Sequence, residues 1–116
     1  MNNRAKKTCR ACSPDAPRAP RLERQQFQKE HVNWQFVNEN DIEKIRRTFF
    51  FDQYSEAIDF TNEIAELADF EDHHPTILLE WGKVTVTWWT HKIGGVHIND
   101  LLMARETDDL FASRIL

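Results

Sequence analysis

No apolar run in this sequence approaches the roughly 20 residues that cross a bilayer, so no transmembrane helix is expected. Glycine is scarce: the three are Gly82, Gly94 and Gly95, and none builds a loop that could cradle a phosphate. There is no G-x-S-x-G nucleophile elbow, and no serine stands near a histidine in a known catalytic spacing. Basic excess is missing too. Lys and Arg number 15 against 19 Asp and Glu, giving a net charge of −4, which argues against direct nucleic-acid binding. Cysteine is limited to Cys9 and Cys12, a lone C-x-x-C pair. Such a pair is half of a four-cysteine zinc site or a redox pair without its βαβ setting, and two free thiols in a mobile segment is the reading adopted. Arg4, Lys6 and Lys7 are followed by no apolar segment, so the N-terminus does not read as a secretory signal and the expected compartment is the cytoplasm.

What is present suits one small soluble domain: 116 residues, 41% hydrophobic and 29% charged. Residues 1–19 are polar and hold Pro14 and Pro17, with Pro20 following, and are expected to form a flexible arm ahead of a single domain over 20–116. Leu22, Phe27 and Val32 suggest a short helix from about 20 to 31. Trp34 to Val37 reads as a strand, residues 38–41 as a turn, and Ile42 to Phe51 as a longer antiparallel strand. In the second strand Ile45, Arg47, Phe49 and Phe51 share one face, and Lys44, Arg46, Thr48 and Phe50 the other.

Asp52 is the expected cap of a helix whose stripe runs Tyr54, Ala57, Ile58, Thr61, Ile64, Ala65 and Ala68. Phe60 and Leu67 widen that stripe, which suits either a broad core face or contact with another subunit. Pro75 forces His74 into an extended conformation and ends the helix before it. Two strands follow around Gly82, Ile77 to Trp81 and Lys83 to Thr90, and a last helix begins near Ile98. The order α-β-β-α-β-β-α predicts an α+β fold, a four-stranded antiparallel sheet with its helices on one face.

Three of the five histidines, His73, His74 and His91, stand at the two ends of the second hairpin. Neighbours in an extended chain point to opposite sides, so His73 and His74 diverge. An adjacent pair suits a metal site poorly, because ligand pairs are spaced to face one way. Satisfied structural histidines are one reading. Acid/base groups are the other, since an imidazole with a pKa of about 6.5 trades protons near neutrality. Asp69 and Asp72 sit unfavourably at a helix C-terminus and are candidates to orient an imidazole, whereas Asp100 suits the dipole of the last helix anyway. His31 and His97 belong to no such arrangement.

The set Asp72-His73-His74-Pro75, Lys83-Val84, Thr90-His91, Gly95 and Asp100 resembles the signature of pterin-4a-carbinolamine dehydratases, over roughly residues 20 to 112. The run Glu80 to Trp89 looks like the bacterial branch that accompanies phenylalanine hydroxylase. The resemblance implies loss of water from a 4a-hydroxytetrahydropterin to give the quinonoid dihydropterin, with no metal and no cofactor. It implies acid/base roles for His73 and His91, one for each substrate face, and a mainly binding role for His74. It places Asp69, Asp72, Thr90 and Trp34 around the substrate, Trp34 suiting core packing as well. Asp69 stands where relatives often carry Glu, and His97 where many carry a Ser or Thr helix cap. A homodimer or homotetramer is implied, with phenylalanine hydroxylase as a possible partner. The rival readings are a non-catalytic dimerisation cofactor, transcriptional coactivator or assembly factor, and a zinc hydrolase with three histidine ligands.

Overall fold

Strand alternation decides which side of the sheet is covered. In the computed structural model, which describes residues 18–115, β1 (Gln35–Glu39) pairs with β2 (Ile42–Phe50), and β3 (Thr76–Glu80) pairs with β4 (Lys83–Trp88). The hairpins join along β2 and β4, giving the antiparallel order β1-β2-β4-β3 with β1 and β3 at the edges. Ile45 and Phe49 of β2 and Val84, Val86 and Trp88 of β4 turn inward and are almost wholly buried. Against them pack α1 (Arg21–Glu30), α2 (Tyr54–Glu71) and α3 (Ile98–Ile115). The α+β class and the α-β-β-α-β-β-α order are as expected. No helix among the described residues is long and apolar enough to cross a membrane.

Several boundaries move for local reasons. Trp34 precedes β1, and the first turn shrinks to Asn40 and Asp41, both left-handed at φ 53° and 63°. A two-residue turn of this kind needs that pair of conformations to match strand twist, and Asn and Asp tolerate them. Between β3 and β4 the two-residue turn is of another kind, with Gly82 at φ 79° its one residue of positive φ. The cap of α2 is Gln53 rather than Asp52, and the Glu56 carboxylate accepts its backbone N–H at 3.2 Å. The buried face of α2 runs Ala57, Phe60, Ile64, Ala68 and Glu71, so Phe60 lies in the core while Tyr54 and Ala65 face outward.

Phe49 is the centre of the aromatic core, its ring 4.9 Å from Phe60, 5.0 Å from Phe111 and 6.1 Å from Trp34. Edge and tilted geometries of this kind add about 0.5–1.5 kcal/mol per pair beyond area burial. The expected arm spanned residues 1–19. Of these, Ala19 is buried and Arg18 rests on the chain beyond β4; the rest of the arm, with Cys9 and Cys12, lies outside the described residues.

On the uncovered face, Arg46 and Lys44 both bond the Glu39 carboxylate and hold its pKa down at about 2, against the ordinary 4.5. A carboxyl depressed on folding adds stability above its unfolded pKa, and that stability is lost as pH falls through the folded value. Thermal melts of wild type and Glu39→Gln should therefore differ most above about pH 5 and converge as pH falls toward about 2. A gap that stays constant over that range would refute the assignment.

Candidate active site

The end of α2 aims the two neighbouring histidines. Asp72 is left-handed at φ 52°, ψ 43°, its N–H bonds the Asp69 carbonyl at 3.3 Å, and the His73 N–H bonds the Ala68 carbonyl at 3.1 Å. These two bonds are a Schellman turn, with Asp72 at the position glycine usually takes. Beyond it Pro75 keeps the chain extended, and the rings diverge: His73 is buried and His74 exposed. His74 Nε2 lies 3.0 Å from Asp69 Oδ1, an exposed pair that orients the ring and adds little stability.

His73 points to the start of α3. Its Nε2 lies 2.5 Å from Oδ1 of Asp100, whose side chain is fully buried, and its ring lies parallel to Trp88, centroids 5.6 Å apart. The other carboxylate oxygen accepts the Thr90 hydroxyl at 2.7 Å and the His97 backbone N–H at 2.8 Å. His97 in turn caps α3: its Nδ1 accepts the Asn99 N–H at 3.0 Å, while Asp100 accepts the His97 backbone N–H at 2.8 Å. An imidazole thus does the work expected of Ser or Thr. The Nε2–H bond to Asp100 leaves Nδ1 as the acceptor of His73.

His91 follows Thr90 and opens a single 3-10 turn, His91–Ile93. Its ring is exposed and stacks on Trp89 at 4.4 Å, while the Lys44 ammonium sits 4.2 Å from the centre of the same indole. His73 and His91 are therefore linked through Asp100 and Thr90, with one ring on the covered side and the other at the surface. Among the described residues no three His, Cys, Asp or Glu side chains converge as a metal ligand set. A surface cavity of about 190 Å³ bounded by Phe50, Phe51, Phe111 and Arg114 contains none of the histidines.

The remaining expected site residues divide. Thr90 and Asp69 each bond a site side chain. Asp72 shapes the turn with its backbone while its side chain faces solvent. Trp34 is fully enclosed, packs on Phe27 and Phe49, and donates its indole N–H to Asp108 at 2.9 Å. That placement makes it core rather than pocket lining. His31 also bonds Asp108, at 2.6 Å, away from the other histidines. Asp100 is the residue that reasoning from helix dipoles undervalued. Its position in the signature beside Thr90-His91 was the signal that could have found it.

Asp100→Ala would leave three buried donors without their acceptor, at about 1–3 kcal/mol for each unsatisfied group. Urea unfolding should show a loss of about 3 kcal/mol or more. In Asp100→Asn, imidazole ¹⁵N shifts should report a changed proton distribution on His73; unchanged shifts would mean that Asp100 does not set it.

Residues 18–110 match the family model described as pterin 4 alpha carbinolamine dehydratase. A protein of Marinobacter nauticus, named as a candidate pterin-4-alpha-carbinolamine dehydratase, is 49% identical over 111 residues, covering 96% of this chain and all of that one. A Nitrosococcus oceani protein of the same name is 43% identical, covering 95% and 97%. The crystal structure of a Brucella melitensis protein described as a transcriptional coactivator/pterin dehydratase superimposes with a TM-score of 0.72 at 32% identity, over 81% of this chain and 98% of that one. With the family model and these relatives spanning nearly its whole length, the chain belongs to the pterin-4-alpha-carbinolamine dehydratase family of lyases.

Proposed function

We propose that this protein dehydrates a 4a-hydroxytetrahydropterin to the quinonoid dihydropterin, with histidines moving both protons. The observation that carries this reading is the buried His73–Asp100–Thr90 chain leading to His91, within a member of this family. The reaction breaks the C–O bond of a carbinolamine and makes a C=N bond. It needs a proton delivered to the departing hydroxyl and another removed from the ring nitrogen. Asp100 behind Nε2 stabilises the imidazolium that forms when His73 accepts a proton at Nδ1, which suits His73 to the nitrogen proton. His91, exposed on Trp89, is then the donor to the hydroxyl. His74, held by Asp69, binds and orients the pterin from the outer side of the turn. Thr90 and Asp72 act by positioning, and Trp34 by supporting the core.

Once a separate two-electron reductant has returned the product to the tetrahydropterin, an aromatic amino acid hydroxylase can use it again, with phenylalanine hydroxylase the expected companion, and the protein works in the cytoplasm. The open edges of β1 and β3 suit pairing with further copies in a homodimer or homotetramer. A second reading is a non-catalytic dimerisation cofactor, transcriptional coactivator or assembly factor; its coactivator part draws on the description of the Brucella melitensis neighbour, which names a pterin dehydratase as well. It predicts partner binding without turnover.

The test is dehydration of the carbinolamine by wild type and single variants. His73→Ala and His91→Ala should each lower kcat by about 10²–10⁴-fold with circular dichroism unchanged. His74→Ala should chiefly raise KM. Variants as fast as wild type would remove histidine catalysis, and an inactive wild type would favour the second reading.

A further inference from the structure

We propose that Arg18 is a positioning residue that clamps the His91 loop, and that Gly95 lacks a side chain to make room for its guanidinium. The proposal rests on the dehydratase reading for its kinetic consequence, not for its geometry. After β4 the chain closes on itself: the Thr90 N–H bonds the Gly95 carbonyl at 2.8 Å and the Gly95 N–H returns to Thr90 at 3.4 Å. Inside that closure lie His91 and its 3-10 turn, and a turn of three residues leaves carbonyls exposed at its end. Arg18 supplies the donors. Its Nη2 bonds the Ile93 carbonyl at 2.9 Å and its Nη1 the Gly94 carbonyl at 3.3 Å, while the neighbouring Ala19 N–H bonds the Val96 carbonyl at 2.8 Å. Three of the loop's carbonyls, those of Ile93, Gly94 and Val96, are therefore held by two residues far away in sequence, while the Gly95 carbonyl between them bonds Thr90.

Gly95 adds an independent observation. Its backbone does not have the positive φ that favours glycine, so a β-carbon is conformationally allowed there, yet that β-carbon would coincide with the Arg18 guanidinium. The missing side chain is space rather than flexibility. Because the obstruction is the far end of a flexible side chain, Gly95→Ala should displace Arg18 without disturbing the backbone. The loop would then lose its clamp while Thr90 stays on Asp100, and the groups disturbed are His91 and its stack on Trp89.

The experiment compares Arg18→Ala, Arg18→Lys, Gly95→Ala and the double variant Arg18→Ala/Gly95→Ala in the full chain. It reads kcat and KM for the carbinolamine and, by NMR, the His91 ring protons shifted by the Trp89 ring current. Misplacing one acid/base group should lower kcat about 10-fold in Arg18→Ala and in Gly95→Ala, with KM changed by less than about 3-fold. Arg18→Lys, with one point donor in place of a fork, should recover part of that loss. The double variant should match Arg18→Ala, because the glycine substitution has no guanidinium left to displace. Gly95→Ala lowering kcat as much in the Arg18→Ala background as in wild type would overturn the proposal, as would His91 shifts unaltered in Arg18→Ala. The shifts read the clamp without turnover. Shifts that move in a protein whose wild type shows no dehydration would uphold the clamp and sink the dehydratase reading.

Discussion

A buried carboxylate is costly unless its oxygens are occupied, and the Asp100 side chain, fully withdrawn from solvent, has donors on both. The donors come from three places: His73 after the end of α2, Thr90 after β4, and the backbone of His97 at the start of α3. Satisfying one group therefore fixes the relative positions of three chain segments. The histidines acquire their geometry from this constraint. His73 is pulled inward onto Trp88, and Thr90, drawn to the same carboxylate, sends His91 to the opposite side of the strand.

The same helix repeats the device lower down. Asp108 accepts from His31 at 2.6 Å, Arg47 at 2.7 Å and the Trp34 indole at 2.9 Å, joining α1, β2 and the approach to β1. Arg47 meanwhile lies over the Phe49 ring at 4.2 Å, so its charge is met on one side by a carboxylate and on the other by a π face. Two aspartates on α3 thus serve different ends. Asp108 binds the aromatic core to the first hairpin, and Asp100 organises the candidate site around the second. The uncovered face of the sheet carries its own ion-pair network around Glu39 and, at Trp89, becomes continuous with the surroundings of His91.

Most elements could be read in advance because their signals are local. Alternation grouped Ile45 and Phe49 on one face of β2, and that face is the buried one, shared with Val84, Val86 and Trp88 of β4. Pro75 gave the divergence of His73 and His74. The misreadings had tertiary causes. Phe60 was placed at the margin of the α2 stripe because periodicity cannot say how far a helix is rotated, and Phe49 and Phe111 fill that space around its ring. Asp72 looked like an orienting carboxylate, yet the left-handed turn uses its backbone and leaves its side chain in water. His97 looked like a departure from a cap and is itself the cap, through a ring nitrogen that happens to lie in reach of Asn99.

What the sequence by itself determined is the alternation of elements, the divergence at His73-His74 and the set of residue types that resembles this family. The first two depend on neighbours one to four positions apart, where backbone geometry leaves few choices. What only the tertiary structure decided is partnership across long separations: His73 with Asp100 over 27 residues, Trp34 with Asp108 over 74, and Arg18 with the Ile93 carbonyl over 75. Burial makes His73, Asp100 and Trp34 require a partner, and for them as for the exposed Arg18 only the packed chain brings one particular partner within hydrogen-bond reach.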